Sequence, residues 1–178
     1  TAKFLGVIID ETLSWKNHIN YIKGKISKNI GIIKRLKYKL PEKTLNTLYN
    51  TLVFPYLNYC NIIWANNKPT RLKSLMVKKK RAMRVITNSP YNTHALPLFF
   101  KLNQLTIYDI NKLLIATFML RHHRNCLPSI LSGYFCLNST IIHNHFPRGS
   151  NKLHVSFART DVMRLQLRIC GPKLWNTI

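Results

Sequence analysis

The chain has 178 residues, of which 28 are Lys or Arg and only five are Asp or Glu, so its formal net charge is +23. Because 46% of the residues are hydrophobic, the sequence can bury a core, and the charge does not indicate disorder. The five acids are Asp10, Glu11, Glu42, Asp109 and Asp161. All lie far apart except Asp10 and Glu11, and adjacent residues point in different directions from a helix or a strand. This argues against a glycosidase and against a self-contained site with two carboxylate-bound metal ions.

The N-terminal segment predicts a strand followed by a turn. An apolar run over residues 4–9 begins almost at once after Thr1, which suggests a strand entered midway and a piece of a longer polypeptide. Residues 10–12 predict a turn, and Ser14 is placed as the N-cap of the helix that follows.

The clearest element is a long amphipathic helix that ends at Pro41. Its apolar positions are Trp15, Ile19, Ile22, Ile26, Ile30, Ile33, Leu36 and Leu40. At 100° per residue they fall within about 60° of one direction, which predicts a single buried face. Gly24 and Gly31 lie on the opposite face, among lysines.

Two further helices are predicted downstream. Pro41 fits the first position of the second, and Pro55 is expected to end or kink it. The buried stripe of this helix would include Leu45, Leu48, Tyr49, Leu52 and Tyr56. The third is predicted over residues 70–87, with Leu72, Leu75, Met76, Met83 and Ile86 inward. Its basic residues are predicted to point mostly outward: Arg71, Lys73, Lys78, Lys79, Lys80, Arg81 and Arg84.

Residues 44–67 carry no charge and are long enough to cross a bilayer. Several Asn and Thr residues and Pro55 interrupt this stretch, which favours a buried helix pair. Further on, Thr106 and Asp109 have capping-box spacing before an apolar helix. Alternation over residues 153–169 predicts a strand. The predicted fold is therefore mainly α, with a short N-terminal strand and a small irregular or β C-terminal segment.

The cysteines and histidines match no standard metal site. Cys60, Cys126, Cys136 and Cys170 lack C-x-x-C spacing, so reduced thiols inside the cell are expected. Zinc ligands of the right type do occur, but in no finger or knuckle pattern: His122, His123, Cys126, Cys136, His143 and His145. The sequence predicts no metal site and no catalytic residue.

Basic residues concentrate on the first and third helices. A rigid helix face with five or more cations is a footprint for a phosphate backbone, although such faces can also be simply solvated. The excess of bases over acids favours nucleic acid. The predicted contacts are Lys23, Lys28, Lys34 and Arg35 on the first helix and Lys73, Lys80, Arg81 and Arg84 on the third.

Gly24 and Gly31 would let a duplex approach the first helix closely. The alternative is a second helix packed on the same face. Four aromatic residues are candidates for base stacking or for the core: Tyr21, Tyr38, Trp64 and Tyr91.

Several segments, in order, resemble the end of the reverse transcriptase domain of non-LTR (LINE-type, jockey/CR1-like) retrotransposons. They are residues 4–10, 13–19, Leu48-Tyr49, residues 56–60, Trp64, residues 79–84, residues 102–109 and residues 171–176. The resemblance implies that Phe4, Leu5 and Gly6 are primer-grip-like at the end of the palm (residues 1–14). It also implies a helical thumb and extension over residues 15–125, and a loop-rich and β segment over residues 126–178.

The resemblance implies a part of an RNA-directed DNA polymerase that grips the duplex of RNA template and DNA primer. The family's Tyr-x-Asp-Asp motif is missing from this sequence, so the chain is expected to be inactive alone. The resemblance implies that the parent polypeptide also contains the catalytic palm and an endonuclease, and that its polymerase uses Mg²⁺. The parent is expected in the nucleus and the cytoplasm, and no membrane partner is expected. Where relatives show a Tyr-Asn-Thr-Arg-like segment, residues 145–148 read His-Phe-Pro-Arg; Arg148 alone matches and receives no role.

Two other functions stay open at this point. A stand-alone basic module could bind RNA or DNA without catalysis. An interaction protein could pack the uncharged residues 44–67 on a partner, with oligomerisation that salt does not affect.

Overall fold

The computed structural model describes residues 1–141 and 151–178, and its backbone is mainly helical, which confirms the predicted fold class. Two strands, β1 (Ala2–Phe4) and β2 (Val7–Ile9), precede the helices. The helices are α1 (Lys16–Leu36), α2 (Glu42–Leu52), α3 (Phe54–Asn58), α4 (Asn61–Trp64), α5 (Pro69–Ile86), α6 (Ala95–Lys101), α7 (Ile107–His123), α8 (Ser129–Ser132), α9 (Asn138–Ile141), α10 (Asp161–Arg164) and α11 (Leu167–Trp175).

The chain forms two compact units, Thr1–Ile110 and Asn111–Ile178. The three-part division into residues 1–14, 15–125 and 126–178 stays a prediction.

The N-terminal residues form a hairpin, so the prediction of one continuous strand over residues 4–9 was wrong. β1 pairs antiparallel with β2, and Phe4 lies opposite Val7. Leu5 and Gly6 make the two-residue turn, with φ values of 45° and 82°. Such a turn needs positive φ at both central residues, and glycine adopts it without steric cost. Phe4 and Leu5 are exposed at the tip.

The turn before α1 is organised by Asp10. Its carboxylate accepts hydrogen bonds from the backbone N–H groups of Ser14 (3.0 Å) and Trp15 (2.9 Å). Trp15 has a left-handed backbone (φ 59°), and the helix begins at Lys16. Ser14 was therefore wrongly predicted as the N-cap, because a carboxylate four residues upstream satisfies the backbone donors of this turn.

Helices α1 and α5 contribute most of the core of the first unit. The predicted isoleucine stripe of α1 is buried, as are the five predicted inward residues of α5. Burying each such aliphatic side chain contributes about 1.5–3 kcal/mol. Lys79 is the exception to the predicted pattern: it is buried, with 1% exposure. It lies four residues from both Leu75 and Met83, so it shares their face of the helix.

The two helices run side by side in the same direction. Near their starts, the Asn67 side-chain amide donates to the Ser14 carbonyl (3.0 Å). Near their ends, the Lys37 ammonium donates to the Asn88 side-chain oxygen (2.9 Å). Because start is tied to start and end to end, α1 and α5 are parallel along their lengths.

The remaining elements of the first unit follow the sequence closely. Helix α2 ends at Leu52 and Pro55 lies in the first turn of α3, so the predicted interruption is confirmed. The predicted capping box is also confirmed, since the Thr106 N–H donates to the Asp109 carboxylate (3.4 Å) and the Asp109 N–H donates to the Thr106 hydroxyl (3.3 Å). Among the described residues, no helix combines the length and apolar character needed to cross a membrane.

The second unit corrects the prediction of a strand over residues 153–169. This region contains α10 and the start of α11, and its β pairing with other described residues is a single bridge between Leu137 and Leu153. The Asn176 side chain holds Leu153 by accepting from its N–H (3.0 Å) and donating to its carbonyl (2.9 Å). Gly171 packs so closely that an added Cβ would lie 2.8 Å from the Met119 sulfur.

Candidate nucleic-acid interface

A basic groove runs between the C-terminal halves of α1 and α5. Its volume is about 460 Å³. It is lined by Lys34, Lys37, Val77, Lys78, Arg81, Arg84, Val85, Ser89 and Tyr91. Five of these nine side chains are cationic and none is acidic, so the groove concentrates positive charge.

Three of the four carboxylates of the first unit are engaged elsewhere, and the fourth, Glu11, is exposed in the turn before α1. Glu42 pairs with Lys101 (2.7 Å), and Asp109 is held in its capping box. The pKa of Asp10 is held well below its usual range, chiefly by the hydrogen bond from the Ser14 hydroxyl. Within the described part of this unit, no carboxylate lies within ion-pair distance of a groove cation. The groove is therefore suited to an anionic ligand.

Two of the groove cations are fixed by neutral partners. Lys37 donates to Asn88 and also lies over the Tyr38 ring, 4.5 Å from its centroid. The Arg84 Nε donates to the Thr93 carbonyl (2.9 Å). These hydrogen bonds use one donor on each cation and leave others for a ligand.

The groove continues toward the middle of α1 as a narrower cleft of about 50 Å³. It is lined by Ser27, Ile30, Gly31, Lys34, Lys78 and Arg81. A Cβ added at Gly31 or at Gly24 would meet no atom within 4 Å. Both glycines therefore face open space, and within the described residues no helix packs directly on them.

The structure brings together only some of the predicted contact residues. Lys34, Arg81 and Arg84 line the groove, and Gly31 lines its narrow end. Lys28 and Arg35 are exposed on the outer face of α1 beside Gly24 and Gly31, and Lys23 is half-buried.

Lys73 and Lys80 do not line the groove. At 100° per residue they lie about 140–160° around α5 from Lys78, on its other flank. One ligand seated in the groove would therefore meet Lys78 and not these two lysines.

Two groove cations, Lys37 and Lys78, were missed as contacts in the sequence, whereas Tyr91 was predicted there as a candidate for base stacking or for the core. The signal for Lys78 was its position three residues before Arg81, which places both on one flank of α5. Which flank of α5 faces α1 is set by contacts between residues far apart in sequence, and the spacing within α5 alone does not predict it. Lys37 follows α1, because the helix ends at Leu36 and not at Pro41 as predicted.

The primer-grip-like residues form the tip of the hairpin. The Tyr59 hydroxyl donates to the Leu5 carbonyl (2.7 Å) and lies beside Gly6. The Trp64 indole N–H in turn donates to the Tyr59 carbonyl (2.9 Å). Tyr59 and Trp64, both within the segments that resemble the polymerase family, thus fasten the hairpin to the helices. The role of Phe4, Leu5 and Gly6 toward a primer stays a prediction.

The cysteines and histidines form no metal cluster within residues 1–141 and 151–178: no three His, Cys, Asp or Glu side chains there are grouped to hold an ion. All four cysteines are free thiols. Burial raises the pKa of the Cys170 thiol to about 11, so it stays protonated at neutral pH. His143, His145 and Arg148 lie outside the described residues.

Comparison with known proteins relates the chain to the RNA-directed DNA polymerases of transposons. It is similar to the probable RNA-directed DNA polymerase from transposon X-element of Drosophila melanogaster, with 28% identity over 138 residues. The match covers 74% of this chain and 15% of that protein. The chain thus spans only a small part of the length of the polymerase that it matches. No protein-family model and no solved structure matches it significantly.

Proposed function

We propose that the groove between α1 and α5 grips the sugar-phosphate backbone of an RNA–DNA duplex, as the thumb part of a retrotransposon RNA-directed DNA polymerase. The observation that carries the proposal is the set of five cations in one groove with no acidic side chain among its lining residues. Like charges held together destabilise the fold unless an anion relieves their repulsion. Duplex phosphates supply such an anion in a regular array.

The dimensions of the groove match a few nucleotides of one strand. Lys78 and Arg84 are six residues apart on α5, which places them about 9 Å apart along the helix axis. In B-form DNA, phosphates of one strand advance about 3.4 Å per nucleotide along the duplex axis, which sets the scale. The groove therefore spans two to three phosphates, and Lys28 and Arg35 extend the basic surface along α1 beyond it.

A role in a polymerase is supported by the similarity to the transposon enzyme and by the order of the shared segments. In this role the chain contributes duplex binding, while bond formation belongs to a palm with carboxylates that this chain lacks. The described residues offer no ligand set for the expected Mg²⁺. The proposal assigns no metal-dependent step to this chain.

Equilibrium titration of the 178-residue chain with a labelled RNA–DNA duplex at several salt concentrations tests the proposal. Each neutralised phosphate contact makes the negative slope of log K against log salt steeper by about 1. Lys34→Ala with Arg81→Ala should weaken binding and make the slope shallower by about 2. The matched control, Lys25→Ala with Lys43→Ala, removes two exposed cations that do not line the groove. An identical slope for the groove pair and the control pair rules out the groove.

The alternative of a stand-alone binding module predicts the same titration but a different genomic context. An in-frame Tyr-x-Asp-Asp motif encoded upstream of Thr1 favours the polymerase. A start codon without that motif favours the module. Oligomerisation that is insensitive to salt would instead indicate the third function, packing of residues 44–67 on a partner.

A further inference from the structure

Tyr91 is an exposed aromatic side chain at the end of the basic groove. It lines the groove with Lys34 and Arg81, yet 86% of its surface is accessible. The Arg84 guanidinium lies over its ring, 5.7 Å from the ring centroid. A ring with this much exposed surface keeps one face open to a ligand while the cation covers part of the other.

The segment that carries Tyr91 is fixed to the end of α5. The Ser89 N–H donates to the Arg84 carbonyl (2.9 Å). A turn follows, closed by a hydrogen bond from the Thr93 N–H to the Pro90 carbonyl (3.2 Å), with Tyr91 at its second position. The Arg84 side chain also donates to the Thr93 carbonyl (2.9 Å). These three bonds fix the backbone of the segment that carries the exposed ring before any ligand binds.

We propose that the open face of Tyr91 is a stacking site for an unpaired base, placed where a nucleic-acid strand held in the groove leaves the duplex. Aromatic side chains stack on any base, because every base has a π-face, and an adjacent arginine strengthens the site. Phosphate contacts in the groove would set the register, and Tyr91 would bind the first base beyond the paired region. This inference rests on the proposed function of the groove.

The chain provides a matched control in Tyr38. This tyrosine is 79% exposed and carries a lysine, Lys37, over its ring, but it does not line the groove. Replacing either tyrosine with leucine removes an exposed ring beside a cation. Only the Tyr91 change removes a ring from the groove.

The test uses the 178-residue chain and three ligands: a blunt RNA–DNA duplex, the same duplex with a four-nucleotide single-stranded extension, and that extension made abasic. The wild-type chain should bind the extended duplex at least about fivefold more tightly than the blunt one, and the abasic extension should give no such gain. Tyr91→Leu should abolish the gain, Tyr91→Trp should keep it, and Tyr38→Leu should leave it unchanged.

The outcomes separate this inference from the proposed function. Salt-dependent binding of the blunt duplex with no gain from the extension overturns the stacking site alone. A gain that survives Tyr91→Leu, or that is also lost in Tyr38→Leu, overturns it too. If the blunt duplex shows no salt-dependent binding at all, the function of the groove fails and the stacking site fails with it.

Discussion

The ammonium group of Lys79 lies 5.9 Å from the centroid of the Tyr49 ring, inside the core of the first unit. Neither the Lys79 ammonium nor the Tyr49 hydroxyl has a hydrogen-bond partner in the described part of the chain. Lys79 also lies over the ring of Phe99, at 5.9 Å. Burial lowers its pKa to about 7, although attraction to Asp109 opposes the shift.

Stability should therefore depend on the charge of Lys79. Above pH 7 the folded state gives up this proton while the unfolded state keeps it up to about pH 10.5. The free energy of unfolding should rise with pH across this window, by up to about 1.4 kcal/mol per pH unit from this group. Lys79→Met should raise the free energy of unfolding by about 1–4 kcal/mol at pH 7 and flatten the rise. Urea unfolding of this variant and of exposed Lys73→Met at pH 7 and pH 9 measures both effects; equal behaviour of the two variants would contradict the account.

His18 forms a contact between the hairpin and α1 that should be sensitive to acid. Its Nδ1 accepts from the Ile8 N–H (3.3 Å), its ring packs edge-on against Trp64, and it is 2% exposed. Burial lowers its pKa below 6.5. Because the unfolded state then binds more protons, stability should fall as the pH drops below about 6.5.

The measurement is thermal unfolding between pH 5 and pH 7.5, together with amide exchange at Ile8. Wild type should lose stability and Ile8 protection toward pH 5, whereas His18→Phe should show a weaker pH dependence in this range. A variant that keeps the full wild-type dependence would show that His18 is not its source.

Asp10 stabilises the start of α1. Asp10→Ala removes the acceptor of the Ser14 and Trp15 N–H groups and should cost about 1–2 kcal/mol, as the loss of a helix cap does. Because its folded pKa is lowered, the stabilisation is present above the unfolded value near 3.8 and is lost as the pH falls below it. Urea unfolding at pH 7 and pH 3 measures this, with Glu11→Ala as the neighbouring control. A cost that is as large at pH 3 as at pH 7 would argue against the charged cap.

The two helical glycines should be replaceable without a steric clash. Ala at Gly24 or Gly31 meets no atom within 4 Å, so each change should stabilise the fold by about 1 kcal/mol through helix propensity. If a duplex approaches α1 closely there, the added methyl group should still weaken duplex binding. A stabilised variant with unchanged duplex affinity would assign the glycines no part in binding.

The sequence predicted what depends on local periodicity. The isoleucine stripe of α1 and the Thr106–Asp109 capping box follow from spacing alone, and both were found. The groove depends on which flanks of α1 and α5 face each other. This is set by packing between residues that are over 40 positions apart in sequence, so Lys37 and Lys78 were missed. Lys79 was misplaced because residue type suggested the surface, whereas its position on the helix placed it in the core.

The central claim is that a duplex lies in the groove between α1 and α5, and lysine acetylation with and without bound duplex tests it most directly. After acetylation at low reagent concentration, mass spectrometry reports how fast each lysine of the wild-type chain reacts. We predict that an RNA–DNA duplex protects Lys34, Lys37 and Lys78, while Lys25 and Lys43 react at the same rate as in the free protein. Equal protection of all five lysines, or protection of Lys73 and Lys80 in place of the groove lysines, would contradict the account.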